Sequence, residues 1–179
     1  RRRQRSGCVM RKLACVITAF VVFVLQSSVL PFIFDGVTQP NLIFLFVVLM
    51  SLQYGQRIGV ITALLGGFAQ DVIIGNFFAV HLLPYILIAV ICGYLCRYVE
   101  REQSLLTVLI VLGATQALYI FTWIVLVLSG QYVRIIPYLI EFSFPMLVYH
   151  GVLALPVDHV VGKLHDHDMM YYNFMNFRH

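Results

Sequence analysis

The chain reads as an all-α polytopic membrane protein with six transmembrane helices. Three observations predict this. Of its 179 residues, 61% are hydrophobic and 11% charged, with a mean hydropathy of +0.90, too little polar surface to cover a soluble globule. Six apolar segments can be drawn, each ended by turn residues or charge. Basic residues fall on alternate connections between them, as expected of a chain that crosses a bilayer an even number of times.

The first twelve residues carry Arg1, Arg2, Arg3, Arg5, Arg11 and Lys12 and form a basic cytoplasmic N-terminus, to which Met10 offers an alternative start. The apolar run Leu13 to Phe34 is long enough to span and lacks a small-residue cleavage site, so it is read as a retained anchor. Asp35, Gly36 and Thr38 then make a tight turn, and Pro40 suits the first turn of a helix, where its missing N–H is no loss. The second segment, Leu42 to Tyr54, is short for a crossing, so it is tilted into a thin region, extended by Pro40 and Asn41, or re-entrant. Ile58 to Gly75, Phe77 to Val99, Leu105 to Leu128 and Ile135 to Val157 complete a transmembrane domain over residues 13–157. Pro84 and Pro145 lie inside the fourth and sixth segments, where each is expected to kink its helix. Residues 158–179 form a cytoplasmic tail in which Met169, Met170, Tyr171, Tyr172, Phe174, Met175 and Phe177 suit the membrane interface or a partner.

With six crossings the inner connections hold Arg57, Arg97, Arg101, Lys163 and Arg178, and the outer ones only Arg134, so both termini are cytoplasmic. The outer links are too short to carry a domain, which places activity within the membrane or in partners.

Small residues recur at every fourth position along the third segment: Gly55, Gly59, Ala63 and Gly67, then Asp71 and Gly75. Residues four apart stack on adjacent turns of a helix, and Gly or Ala there lets another backbone approach closely inside lipid. The row from Gly59 to Asp71 is the expected packing or partner face, because a 3.6-residue repeat carries it round the helix over more steps. An ionised Asp in mid-membrane costs roughly 2.5 to 3.5 kcal/mol on insertion scales, so Asp71 is expected to point inward. With His81 and Glu141 it forms the expected buried polar cluster toward the outer face. Gln26, Ser27, Ser28, Thr115 and Gln116 are candidates to join it, and His150 is a further ionisable group in an apolar segment.

Pro40-Asn41 ahead of an apolar helix, followed by Gly67-Phe68-Ala69-Gln70-Asp71 and Gly75, resembles MreD, the multi-pass rod shape-determining family. The specific part of the resemblance runs from Pro40 to about Tyr94; Ala63 and Ala79 stand where Gly is more frequent in the family, and Gln70 where Leu is usual. The resemblance implies a bacterial inner-membrane protein of six helices, similar in fold to the substrate-binding components of vitamin transporters, without enzyme activity or cofactor. It implies MreC as partner, beside MreB, RodA and a class B penicillin-binding protein, in the elongation machinery of the cell wall. The expected role is a scaffold for peptidoglycan synthesis that maintains rod shape. In this role the row on the third helix meets a partner helix or the fold's own core, with the core somewhat favoured.

A small-molecule-binding subunit of a vitamin or metal transporter would share the architecture. Such subunits dock their coupling partner through small residues on the first helix, which here is dominated by Val, Phe, Ile and Leu. An ion-coupled carrier would need a relay of ionisable groups reaching the inner face and paired broken helices. Cys92 and Cys96 lie one turn apart, but a structural zinc needs four ligands and no second pair faces them. His165, Asp166, His167 and Asp168 read as a solvated segment, the basic N-terminus as a topology signal held to anionic lipid, and no feature supports binding to nucleic acid. No phosphate loop, nucleophile with a neighbouring base, or pair of catalytic carboxylates is present.

Overall fold

A computed structural model describes residues 15–34, 39–74, 80–96, 98 and 104–176, with side chains in all of these except 73–74 and 164–176. They form six helices, and no strand occurs among them. We number the helices α1 (Cys15–Ile33), α2 (Leu42–Tyr54), α3 (Gln56–Ile74), α4 (Leu82–Leu95), α5 (Ser104–Leu128) and α6 (135–176).

The short second segment is the centre of the bundle. Every residue from Ile43 to Leu52 is buried, with Phe44, Leu45, Val48 and Leu49 fully enclosed. This is the signature of a helix hydrophobic all round. Tyr85, Ile88, Ala89 and Cys92 of α4 belong to the same core, as do Val111 and Leu118 of α5, Ala154 and Val161 of α6, and Ala63 of α3. Thirteen residues at 1.5 Å each span only about 20 Å, but a helix jacketed by protein need not match the bilayer.

Lengths differ from expectation in two places. Helix α4 begins at Leu82, five residues later than its apolar run, and residues 75–79, including Gly75, lie outside the described part. Helix α6 continues without a break through Pro156 into the segment read as a separate tail. Helices α1, α5 and Ile135–Lys163 of α6 are long and apolar enough to cross a membrane, whereas α2 and α4 are apolar but shorter.

The prolines act differently from one another. Pro84 sits in the first turn of α4, where no helical bond is lost, so the kink expected there is absent. Pro145 follows a π turn, Leu139–Ser143, closed by the Phe144 N–H on the Leu139 carbonyl. Pro31 follows a second, Leu25–Val29, closed by Leu30 on Leu25. A proline ring collides with the carbonyl four residues back, and one widened turn ahead of it removes the collision without breaking the helix.

Candidate functional site

The row of small residues on α3 faces the chain's own helices. Gly55, at φ 85°, turns the chain from α2 into α3 in a conformation that L side chains avoid. The two helices then run back antiparallel, close enough that a Cβ on Gly59 would lie 2.9 Å from the Ser51 Cα. Ala63 is fully buried one turn on. A Cβ on Gly67 would lie 2.7 Å from the Cα of Leu82, so here the backbone of α4 makes the close approach. Gly59 and Gly67 are therefore packing positions between α2, α3 and α4.

Asp71 ends the described row and is 5% exposed. Its Oδ1 accepts the His81 backbone N–H at 2.9 Å and its Oδ2 the Leu82 N–H at 3.3 Å, while the His81 Nδ1 lies 3.1 Å from Oδ1. The first N–H groups of any helix lack partners inside it. His81 holds the N-cap position of α4 without capping it through its side chain, and Asp71 supplies the cap from α3 instead. A carboxylate also suits the positive end of the helix dipole. Glu141 does not join this pair. It lies on the π turn of α6 with its side chain exposed, so the cluster of three expected from the sequence reduces to Asp71 and His81. The widened turn carries Ser143 inward instead, where its hydroxyl donates to the Gln116 Oε1 at 2.6 Å.

A second polar constellation surrounds the N-terminus of α2, at Pro40 and Asn41. Asn41 caps its own helix, its Oδ1 accepting the Phe44 N–H at 3.0 Å, and its Nδ2 donates to the Tyr85 hydroxyl at 2.6 Å. The Leu42 N–H donates to the Gln26 Oε1 at 2.7 Å, and the Asn41 N–H to the His150 Nε2 at 3.2 Å. A backbone N–H can only donate, so Nε2 carries no hydrogen and a neutral imidazole carries it on Nδ1. That tautomer, assigned from its partners, donates to the Thr115 Oγ1 at 2.8 Å, and the Thr115 hydroxyl donates to the Val111 carbonyl. The first backbone amides of α2 are thus met by side chains from α1 and α6, while α4 holds the Asn41 side chain and α5 closes the chain of bonds. Phe44 stacks on the His150 ring and tilts against Tyr85, which seals the network.

At its other end α2 is held by the Gln53 Nε2, which donates to the Asp158 Oδ1 at 2.7 Å. Between the two ends lie apolar side chains and Ser51, whose hydroxyl donates to the Val47 carbonyl of its own helix at 2.7 Å.

Sequence reasoning pairs Asp71 with His81 but misses the grouping of Gln26, Asn41, Tyr85, Thr115 and His150. The signal available is Pro-Asn before an apolar run, a helix start whose amides need acceptors. Ser27 bonds back to the Phe23 carbonyl of its own helix. Cys92 and Cys96 are free thiols, and no group of three potential metal ligands occurs among the described residues. Gly75, Ala79, Cys8 and the side chains of His165 to Asp168 lie outside the described residues.

Comparison with curated proteins and with solved structures gives no match. Comparison with protein families matches residues 7–166 to the rod shape-determining protein MreD. With most of its length matched, including both polar constellations and the glycine row between them, the chain belongs to the MreD family.

Proposed function

We propose that this chain is a non-catalytic scaffold of the cell-wall elongation machinery in the bacterial cytoplasmic membrane. It crosses six times with both termini in the cytoplasm and binds an MreC-like single-pass protein through lateral helix contacts. Through that assembly it stands beside MreB, RodA and a class B penicillin-binding protein. The supporting observation is the division of labour in the bundle: the polar side chains of the two constellations bond to the chain's own helices, while large apolar side chains cover the outside. Phe20, Phe32, Leu65, Ile140 and Val152 are each more than half exposed. Such a surface suits lipid and partner helices.

The test is purification of the tagged chain from its native host in mild detergent, with mass spectrometry of what accompanies it. Recovery of a single-pass protein with an extracytoplasmic domain, with or without wall synthases, is the expected result. An ATPase pair with a coupling subunit, or a small molecule bound in stoichiometric amount, would make the chain a transporter component instead.

A further inference from the structure

Helix α6 turns one row of side chains away from the bundle. Glu141, Phe144, Val148, Val152 and Leu155 follow one another at three or four residues and are all exposed. Four of the five are hydrocarbon and suit lipid as well as protein. Glu141 does not. Its height follows from its neighbour: the Ser143 hydroxyl bonds to Gln116, the middle residue of the 25-residue apolar helix α5, and Glu141 lies two residues, about 3 Å along the axis, from Ser143. A chain that crosses a bilayer thus holds this carboxylate close to mid-membrane and on the outward surface. A charge there requires a partner.

The chain itself offers none. No described residue makes an ion pair or hydrogen bond with Glu141, and Arg134 sits at the N-cap of α6, seven residues and roughly 10 Å toward the outer end. A second copy offers none either, since the Lys and Arg on the described helices are Arg57, in the first turn of α3, and Lys163, toward the inner end of α6. Lipid headgroups carry their charges at the interface, about 15 Å from the bilayer centre. The counter-charge must come from another protein.

We propose that the outward face of α6 from Glu141 to Leu155 docks a membrane-crossing helix of a different protein, one that carries an Arg or Lys near mid-span to meet Glu141. The apolar residues of the row pack against that helix over the remaining length, about 20 Å in all. A cation in lipid is as unfavourable as the carboxylate, so pairing the two fixes the register of the helices and rejects partners without the charge. The proposal rests on the scaffold reading, in which the bundle lies in a bilayer and meets its partners laterally, and gives that contact a place.

The test places the photo-crosslinking amino acid benzoylphenylalanine at Val148 on this face or at Leu109 on the exposed side of α5, in the tagged full chain in its native host. Irradiation is expected to join Val148 to a membrane-spanning peptide of another protein that contains Arg or Lys. Glu141→Gln is expected to cut that adduct about tenfold while leaving the melting temperature of the purified chain unchanged. Exchanging the charges, Glu141→Lys here and the basic residue to Glu in the partner, is expected to restore it. An adduct with lipid alone, with a second copy of this chain or with a peptide lacking a basic residue would each overturn the proposal. So would an undiminished adduct in E141Q, failure of the charge exchange, or a fall in melting temperature that returned Glu141 to the chain's own fold. A partner joined at Leu109 and not at Val148 refutes this face and leaves the scaffold reading standing. No protein adduct at either position, with no membrane protein accompanying the chain in mild detergent, refutes the scaffold reading itself.

Discussion

Single residues in this bundle matter through what stands a few ångströms away. Gly67→Leu would drive a side chain into the α4 backbone, which cannot retreat without moving Asp71 off its cap. The expected loss is at least about 1–3 kcal/mol, the range for overpacking, seen as aggregation on size-exclusion chromatography. Gly55→Ala meets no neighbour, so its expected cost is conformational only, about 1–2 kcal/mol for a left-handed residue. Heating each variant in detergent and following the single tryptophan, Trp123, whose indole N–H donates to the Val133 carbonyl, separates the two cases. Gln70 runs the other way. It is 5% exposed and its Oε1 has no hydrogen-bond partner among the described residues, an arrangement that costs about 1–3 kcal/mol. Gln70→Leu is therefore expected to raise the melting temperature, and a fall would show that the amide has a role. That a Gln stands at this position is plain in the sequence. Whether its carbonyl finds a donor depends on side chains from other helices.

At the scale of elements, α2 is the case in which length misleads. Judged against a bilayer, thirteen residues are too few; judged against five surrounding helices, they fill a core. A helix buried this way must have its terminal amides met by protein, and the π turn of α1 places Gln26 where Leu42 needs an acceptor. His150→Phe keeps the ring stacked on Phe44 but leaves the Asn41 N–H without its acceptor and removes the donor to the Thr115 oxygen, whose hydroxyl still donates to the Val111 carbonyl. The expected penalty is about 1–3 kcal/mol, against a smaller one for His150→Asn, whose side chain can still accept. Thermal unfolding of the two variants checks the order, and an equal effect would mean that only the ring matters. The packing face of α3 is legible in its sequence, because a repeat of four small residues maps directly onto one side of a helix. The π turns are not legible there, because a proline in an apolar helix announces a disturbance without saying whether it becomes a kink, a first turn or a widened one.

For the whole molecule, the consequence is that Asp71 and the glycine row are interior and partners must meet other surfaces. Asp71→Asn is expected to weaken the α4 cap and lower stability, while the folded fraction still captures the same partners from native membranes. Selective loss of one partner from otherwise stable protein would place Asp71 at an interface. Composition and spacing by themselves determine the all-helical class, the six segments and the inward direction of Asp71. Each of these follows from a local rule: hydropathy over a window, a repeat of four, the cost of a charge in lipid. Which helix is central, what Asn41 and His150 touch, and the exclusion of Glu141 from the buried cluster were decided by the tertiary structure alone. These depend on side chains brought together from helices as much as 109 positions apart, and no rule of local spacing relates residues at that separation.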